Sequence, residues 1–324
     1  MEIAVTNRNI RILETPEQMR AVEELQRRVW PGSETEIVPA HILLAAAHNG
    51  GLVIGAYLSK QSGQVGEPVD ELQAGENSES EDDKLVGFVF GFPGIYTTPD
   101  GLRIKHCSHM LGVDPIYRDQ GIGFTLKRAQ WQMVRNQGLD RITWTYDPLL
   151  SRNAFLNISR LGAVCNTYRR DEYGELRDSL NVGIATDRFQ VDWWVNSHRV
   201  DRRLSRRPRL RLDLAHFLAA GIEIINPSQT GHGQFPQPVK VEIDRLIDRV
   251  EFADEQPPMF LVEIPADFPK LKAAEMNLAN EWRMHTRELF ETLFSMGYLV
   301  TDFLYLPGPF PRSFYVVSDS QSVL

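Results

Sequence analysis

Cysteine is nearly absent from this 324-residue chain: Cys107 and Cys165 are the only two. Two thiols are too few for a disulfide framework, a four-cysteine zinc site or an iron–sulfur cluster, and a reducing setting is the simplest expectation. Long apolar runs are also missing. No stretch approaches the 18 or more residues needed to span a bilayer, and Met1–Arg8 lacks the basic and apolar regions of a secretory signal, so a cytoplasmic location is expected. Basic charge is in deficit, with 35 Lys and Arg against 43 Asp and Glu for a formal charge of −8. That balance argues against a surface broadly adapted to nucleic acid. What the chain does have is an ordinary globular composition, 42% hydrophobic and 24% charged, long enough for two domains.

The first helix is well marked. Thr15-Pro16-Glu17-Gln18 forms a capping box with proline at the first helical position, and Met19, Val22, Leu25 and Val29 follow at helical spacing. Strand 10–13 precedes it; helix 39–48 and strand 52–58 follow. Eight acidic residues and no basic one fall between positions 67 and 83, which reads as a loop at the tip of a hairpin formed by 51–58 and 84–92. Strand 103–113, helix 121–137, strand 141–146, helix 151–161 and strands 163–168 and 189–195 come next. Seven arginines between Arg199 and Asp213 mark a composition break. The expected organisation is therefore an α/β domain at 1–198, an Arg-rich linker at 199–213 and a C-terminal α/β domain at 214–324. That last domain is expected to hold a strand at 260–264, a long helix from Pro269 to Met296 and a strand at 298–305. Strand, proline, long helix, glycine and strand also describe 113–146, which suggests a diverged internal repeat.

The segment that carries chemistry runs Val113-Asp114-Pro115-Ile116-Tyr117-Arg118-Asp119-Gln120-Gly121-Ile122-Gly123-Phe124. An R-x-x-G-x-G turn between a strand and an amphipathic helix presents backbone N–H groups at the positive end of the helix dipole, where a pyrophosphate can sit. No Gly-Lys-Ser/Thr closes the turn and the spacing is not G-x-G-x-x-G, which excludes the Walker and Rossmann modes.

With Arg118, Gly121 and Gly123 in these places, the sequence resembles the GNAT superfamily of acyl-CoA N-acyltransferases over about residues 10–195. Ser108–Val113 and Thr186–Trp193 are further similar to a GNAT subgroup with a C-terminal extension. The resemblance implies an α/β fold, a GNAT-type mixed sheet flanked by helices; a second, smaller α/β domain follows, which the suggested repeat would make a degenerate half of the same fold. It implies acetyl-CoA as co-substrate and no metal, with acetylation of an amine on a small molecule. Main chain at Leu111, Gly112 and Val113 would pair with the pantetheine arm. The amides of Asp119, Gln120, Gly121, Ile122, Gly123 and Phe124, beside Arg118, would take the pyrophosphate, and Asn153 would bond the pantetheine or help cap its helix.

Acetyl transfer needs a base, an oxyanion site and a proton for the thiolate. No carboxylate lies between Arg103 and Val113, but His106 and His109 do, on opposite strand faces. His109, nearer the end where family members expose the thioester, is the candidate base; a structural histidine is the alternative. Family members often place an acid tyrosine where Ile158 stands here, so Tyr146 and Tyr168 are substitutes, with core packing as their default. Arg283 and Arg287, like charges at i, i+4, either hold a carboxylate-bearing substrate or, in the case of Arg287, pair with Glu291. Two other readings remain: a non-catalytic acyl-CoA-binding or regulatory module, and an RNA-modifying acetyltransferase using the Arg199–Arg211 stripe.

Overall fold

The computed structural model describes residues 8–32, 34–58, 83–174, 182–205, 211–230, 235–251 and 259–319. Most of the acidic segment 67–83 and the center of the arginine stripe, 206–210, lie outside the described residues. Packing divides the chain into two compact units, 1–144 and 145–324. The division falls inside a strand instead of at 199–213, so residues 145–198 pack with the C-terminal part of the chain.

The first unit contains β1 (Arg8–Ile12), α1 (Pro16–Val29), α2 (Ala40–His48), β2 (Leu52–Leu58), β3 (Lys84–Thr98), β4 (Gly101–Val113), α3 (Ile122–Asn136) and the start of β5 (Arg141–Tyr146). The sheet order is β1-β2-β3-β4-β5, antiparallel except for the parallel pair β4–β5. This is a mixed sheet flanked by helices. The capping box of α1 is present, with the Thr15 side chain accepting from the Gln18 amide and the Gln18 side chain accepting from the Thr15 amide. Met19, Val22, Leu25 and Val29 then pack with Phe88, Phe90, Val53 and Leu43 on one sheet face. Each fully buried side chain of this size contributes about 1.5–3 kcal/mol. Helix α3 covers the other face.

β3 and β4 are longer than the sequence pattern suggests, because Pro93 and Gly94 do not end the strand. β2 pairs with β3 only as far as Gly91, so Pro93 lies where β3 has lost that neighbour and its missing N–H costs no ladder bond there.

The second unit contains α4 (Ser151–Ala154), β6 (Val164–Arg169), β7 (Arg188–Trp194), α5 (His198–Leu204), α6 (Leu214–Ala219), β8 (Glu223–Ile224), β9 (Gln229–Thr230), β10 (Pro236–Gln237), α7 (Ile243–Glu251), β11 (Phe260–Ile264), α8 (Phe268–Ala274), α9 (Met276–Ser295), β12 (Tyr298–Leu306) and β13 (Arg312–Asp319). Its main sheet runs β7-β6-β12-β13-β11-β8. The expected helix 151–161 is α-helical only at its start and continues as a π-turn over Phe155–Arg160. The expected helix from Pro269 to Met296 is broken at Glu275, which ends α8 and begins α9 at φ −140°. The suggested repeat meets a further difference: β4 and β5 are neighbours, whereas β13 separates β11 from β12. Within the arginine stripe, Arg199 bonds the Gly162 and Thr301 carbonyls, and Arg203 bonds the Ser159 carbonyl and pairs with Asp302 at 2.6 Å. These two guanidinium groups brace the unit and do not form a solvated linker.

Candidate functional site

The parallel ladder between β4 and β5 is short. Its partners are His106↔Ile142 and Cys107↔Thr143, after which β4 continues to Val113 paired with β3 alone. The β3–β4 register also slips here: Phe90 faces Met110 and Gly91 faces Ser108, so His109 is the extra residue of a β-bulge. Beyond the bulge, Gly112 lies against Phe88, whose ring a Cβ would approach to 2.6 Å, so only glycine fits. Leu111, Gly112 and Val113 thus offer main chain on an edge of β4 that β5 does not occupy.

The chain then enters a short turn capped by Asp114, whose carboxylate accepts from the Ile116 amide. Arg118 turns its guanidinium back to the carbonyls of Val113 and Val29, at 3.3 and 3.4 Å, and so braces the loop. Asp119 has φ 63° and Gly121 φ 78°, two left-handed residues that aim the backbone into α3. Gly121 is the N-cap and brings no side-chain cap to the first turn of α3, where Ile122, Gly123 and Phe124 begin the helix. Gln120 is half-buried beside it. Glycine at an uncapped N-terminus is the arrangement that accepts an anion on backbone donors.

His106 and His109 point to opposite faces, as strand alternation requires. The His109 ring packs edge-on to Phe90 at 5.9 Å and tilted to Phe92 at 5.8 Å, with an exposed margin; burial by these rings lowers its pKa. That shift favours the neutral imidazole. His106 is fully buried beneath α3 and meets Gln130 at 3.1 Å. Burial, and secondarily the neighbouring Lys127, push its pKa down to about 3.

In the second unit the candidate acids are engaged by the fold itself, Tyr146 buried and Tyr168 half-buried. The Tyr146 hydroxyl meets that of Tyr315 at 3.2 Å, and Tyr315 donates to the Pro148 carbonyl. Tyr168 donates to Asp187 at 2.7 Å. Burial raises the pKa of both phenols. Ile158 is completely buried. Asn153 is half-buried on α4.

Arg283 and Arg287 differ from both expectations. Arg283 makes a two-pronged pair with Asp147, and Arg287 does the same with Asp187 at 2.7 and 2.8 Å. Glu291 instead takes Arg170. Two aspartates of the chain's own fold occupy the positions imagined for a substrate carboxylate, which relieves the i, i+4 repulsion. Burial works to raise the Asp187 pKa, but bonds from Arg287, Tyr168 and the Asp171 amide hold it below the usual range. Sequence reasoning missed Asp147 and Asp187 because nothing local distinguishes an aspartate that meets an arginine 100 or more residues away.

Among the described residues no group of three or more potential metal ligands occurs, and no helix is long and apolar enough to cross a membrane. Neither a protein-family profile nor a curated protein sequence matches the chain. Solved structures similar to part of it include the ribosomal-protein-S18-alanine N-acetyltransferase of Escherichia coli, 14% identical over 63% of this chain and 100% of that one, TM-score 0.39. An IAA acetyltransferase from Bacillus cereus is 14% identical over 58% and 99%, TM-score 0.37. Arabidopsis thaliana NAA60, solved with a bisubstrate analogue, is 14% identical over 59% and 100%, TM-score 0.42.

Proposed function

We propose that the chain is a GNAT-type N-acetyltransferase that uses acetyl-CoA to acetylate an amine of a small molecule, with the catalytic domain spanning about residues 1–198. The observation that carries this reading is the parting of two parallel strands, β4 and β5, just before a bulge, on a strand that runs through left-handed Gly121 into an uncapped helix. The residues fit the co-substrate: the main-chain edge at Leu111–Val113 that β5 does not occupy matches the amide-bearing pantetheine arm, and the turn from Asp119 to Phe124 matches the pyrophosphate. Arg118 supports the loop through its carbonyl contacts. The bound thioester would supply an acyl carbon open to attack.

The acceptor ammonium must first lose a proton. His109 is the group placed to take it, because it stands at the bulge, is partly exposed, and is kept neutral by its aromatic neighbours. His106 does not share this role, since it faces α3 and is sealed from solvent. The reducing cytoplasm, where both cysteines stay free thiols, is the proposed setting.

A non-catalytic acyl-CoA-binding module is the second reading, favoured by the absence of a tyrosine at position 158, the burial of Tyr146 and the engagement of half-buried Tyr168 with Asp187. Turnover of acetyl-CoA with a panel of amines separates the two. For either, Gly121→Asp sets a carboxylate against the pyrophosphate, and aspartate tolerates the left-handed region. The variant should fold yet lose the rise in melting temperature that acetyl-CoA gives the wild type. A folded variant with unchanged CoA affinity would remove the assignment.

A further inference from the structure

Lys127 is 1% exposed, and among the described residues its ammonium meets no carboxylate. Its Nζ donates to Ser108 Oγ at 2.7 Å and to Gln130 Oε1 at 3.2 Å, and lies 3.7 Å from the center of the Trp144 ring. The two strand residues in that set have a particular place. The parallel ladder ends at Cys107↔Thr143, so Ser108 and Trp144 are the next residue on each strand, the pair that would have formed the following rung. Lys127 therefore reaches from α3 into the fork where β4 and β5 part. Ser108 also immediately precedes His109, the bulged residue.

A second chain of contacts fixes the polarity of the cluster. Because Gln130 Oε1 faces the lysine donor, its Nε2 faces His106 Nε2 and donates to it. His106 is thus neutral with its proton on Nδ1, an atom that is buried without a hydrogen-bond partner. Burial drives the Lys127 pKa well down as well. An apolar side chain would fill this space at lower desolvation cost, so a buried amine here is expensive for a purely structural filler. The strand fork gives it a reason.

We infer that Lys127 is a positioning residue for the acyl-transfer site: by tying Ser108 to α3 and seating against Trp144, it fixes where the strands part and how the bulge presents His109. The helix whose first turn would take the pyrophosphate also carries this lysine. One rigid element thus sets both the anion end and the strand fork. The inference rests on the proposed function for its catalytic consequence but not for its geometry, and the test separates the two.

Lys127→Met keeps the length of the side chain and removes the donor. It should leave the melting temperature within about 5 °C of wild type, a tolerance set by the loss of two buried hydrogen bonds against a smaller desolvation cost. Amide hydrogen exchange should accelerate tenfold or more in peptides covering Cys107–Leu111 and stay unchanged at the C-terminal end of α3. In turnover, kcat should fall tenfold or more while the KM for acetyl-CoA changes less than threefold, a split that general loosening would not give. Ser108→Ala should reproduce the kcat loss, and the double variant should be no worse than either single one, because both cut the same link. Unchanged exchange at Cys107–Leu111, or additive losses in the double variant, overturns the inference. A wild-type protein that neither binds nor turns over acetyl-CoA, with the exchange effect present, overturns the proposed function and leaves the brace at the fork standing.

Discussion

Two histidines three residues apart on one strand are given opposite work by the two faces of the sheet. His109, at the bulge, keeps an exposed margin, and its removal should be felt in rate. His109→Ala is expected to lower acetyl transfer by about 10² to 10⁴, the usual worth of a positioned base, with CoA affinity within a few-fold. Full activity in this variant would mean that the amine arrives already neutral. His106 should be felt in stability instead. Its folded pKa, about 3, lies below the ordinary 6.5, so the unfolded chain binds the extra proton first. Stability from this group is complete above about pH 6.5 and declines as pH falls toward 3, with a limiting slope of about 1.4 kcal/mol per pH unit. Melting temperature followed from pH 7 to pH 5, above the carboxylate range, should therefore drop less steeply in His106→Gln than in wild type. Equal slopes would show that the ring is not held neutral beneath α3.

At the scale of elements, α9 is locked to its own unit by two aspartates. Arg283→Met would take from buried Asp147 its close two-pronged partner and leave Arg188 at 3.9 Å, and removing one partner of a buried pair typically costs about 3–5 kcal/mol, with Arg188 holding the loss to the lower end. Urea unfolding should show a loss of that order, and adding Asp147→Asn should recover part of it. A loss under about 1 kcal/mol would mean that the pair is open to solvent. These long-range pairs are what the sequence could not disclose, whereas local signals were legible. The Thr15–Gln18 capping box, the 3.6-residue stripe from Met19 to Val29 and the strand–glycine–helix passage at Val113–Phe124 all stand where their patterns put them. β13 escaped notice because Arg312–Asp319 is buried along almost its whole length and so shows no alternation. The break at Glu275 has no Gly or Pro to announce it, and nothing in the structure explains it. Of the strand fork, only the thioester-exposing end of the strand was legible, and that through the resemblance, since the end of a ladder depends on two segments that are distant in sequence.

For the molecule as a whole, charge is unevenly distributed: residues 61–82 carry seven acidic side chains and no basic one, in a chain whose formal charge is −8. The strands on either side are already in register, with Leu58 opposite Lys84, and Arg11 pairs with Asp83 just beyond the segment. A short turn can therefore close the β2–β3 hairpin without it, and loop closure entropy changes slowly with length. Replacing 61–82 by a four-residue Gly/Ser turn, with Asp83 kept, should leave the melting temperature within about 3 °C, because so polar a composition has little apolar area to bury. It also takes the formal charge from −8 to −1. Acetyl-CoA is a polyanion, so its association with the shortened protein at low ionic strength should speed up several-fold, and the difference should vanish near 0.5 M salt, where the Debye length falls to about 4 Å. A melting-temperature loss beyond about 8 °C would show that the segment is docked on the fold, and an association rate indifferent to both deletion and salt would show that the co-substrate never approaches this charge.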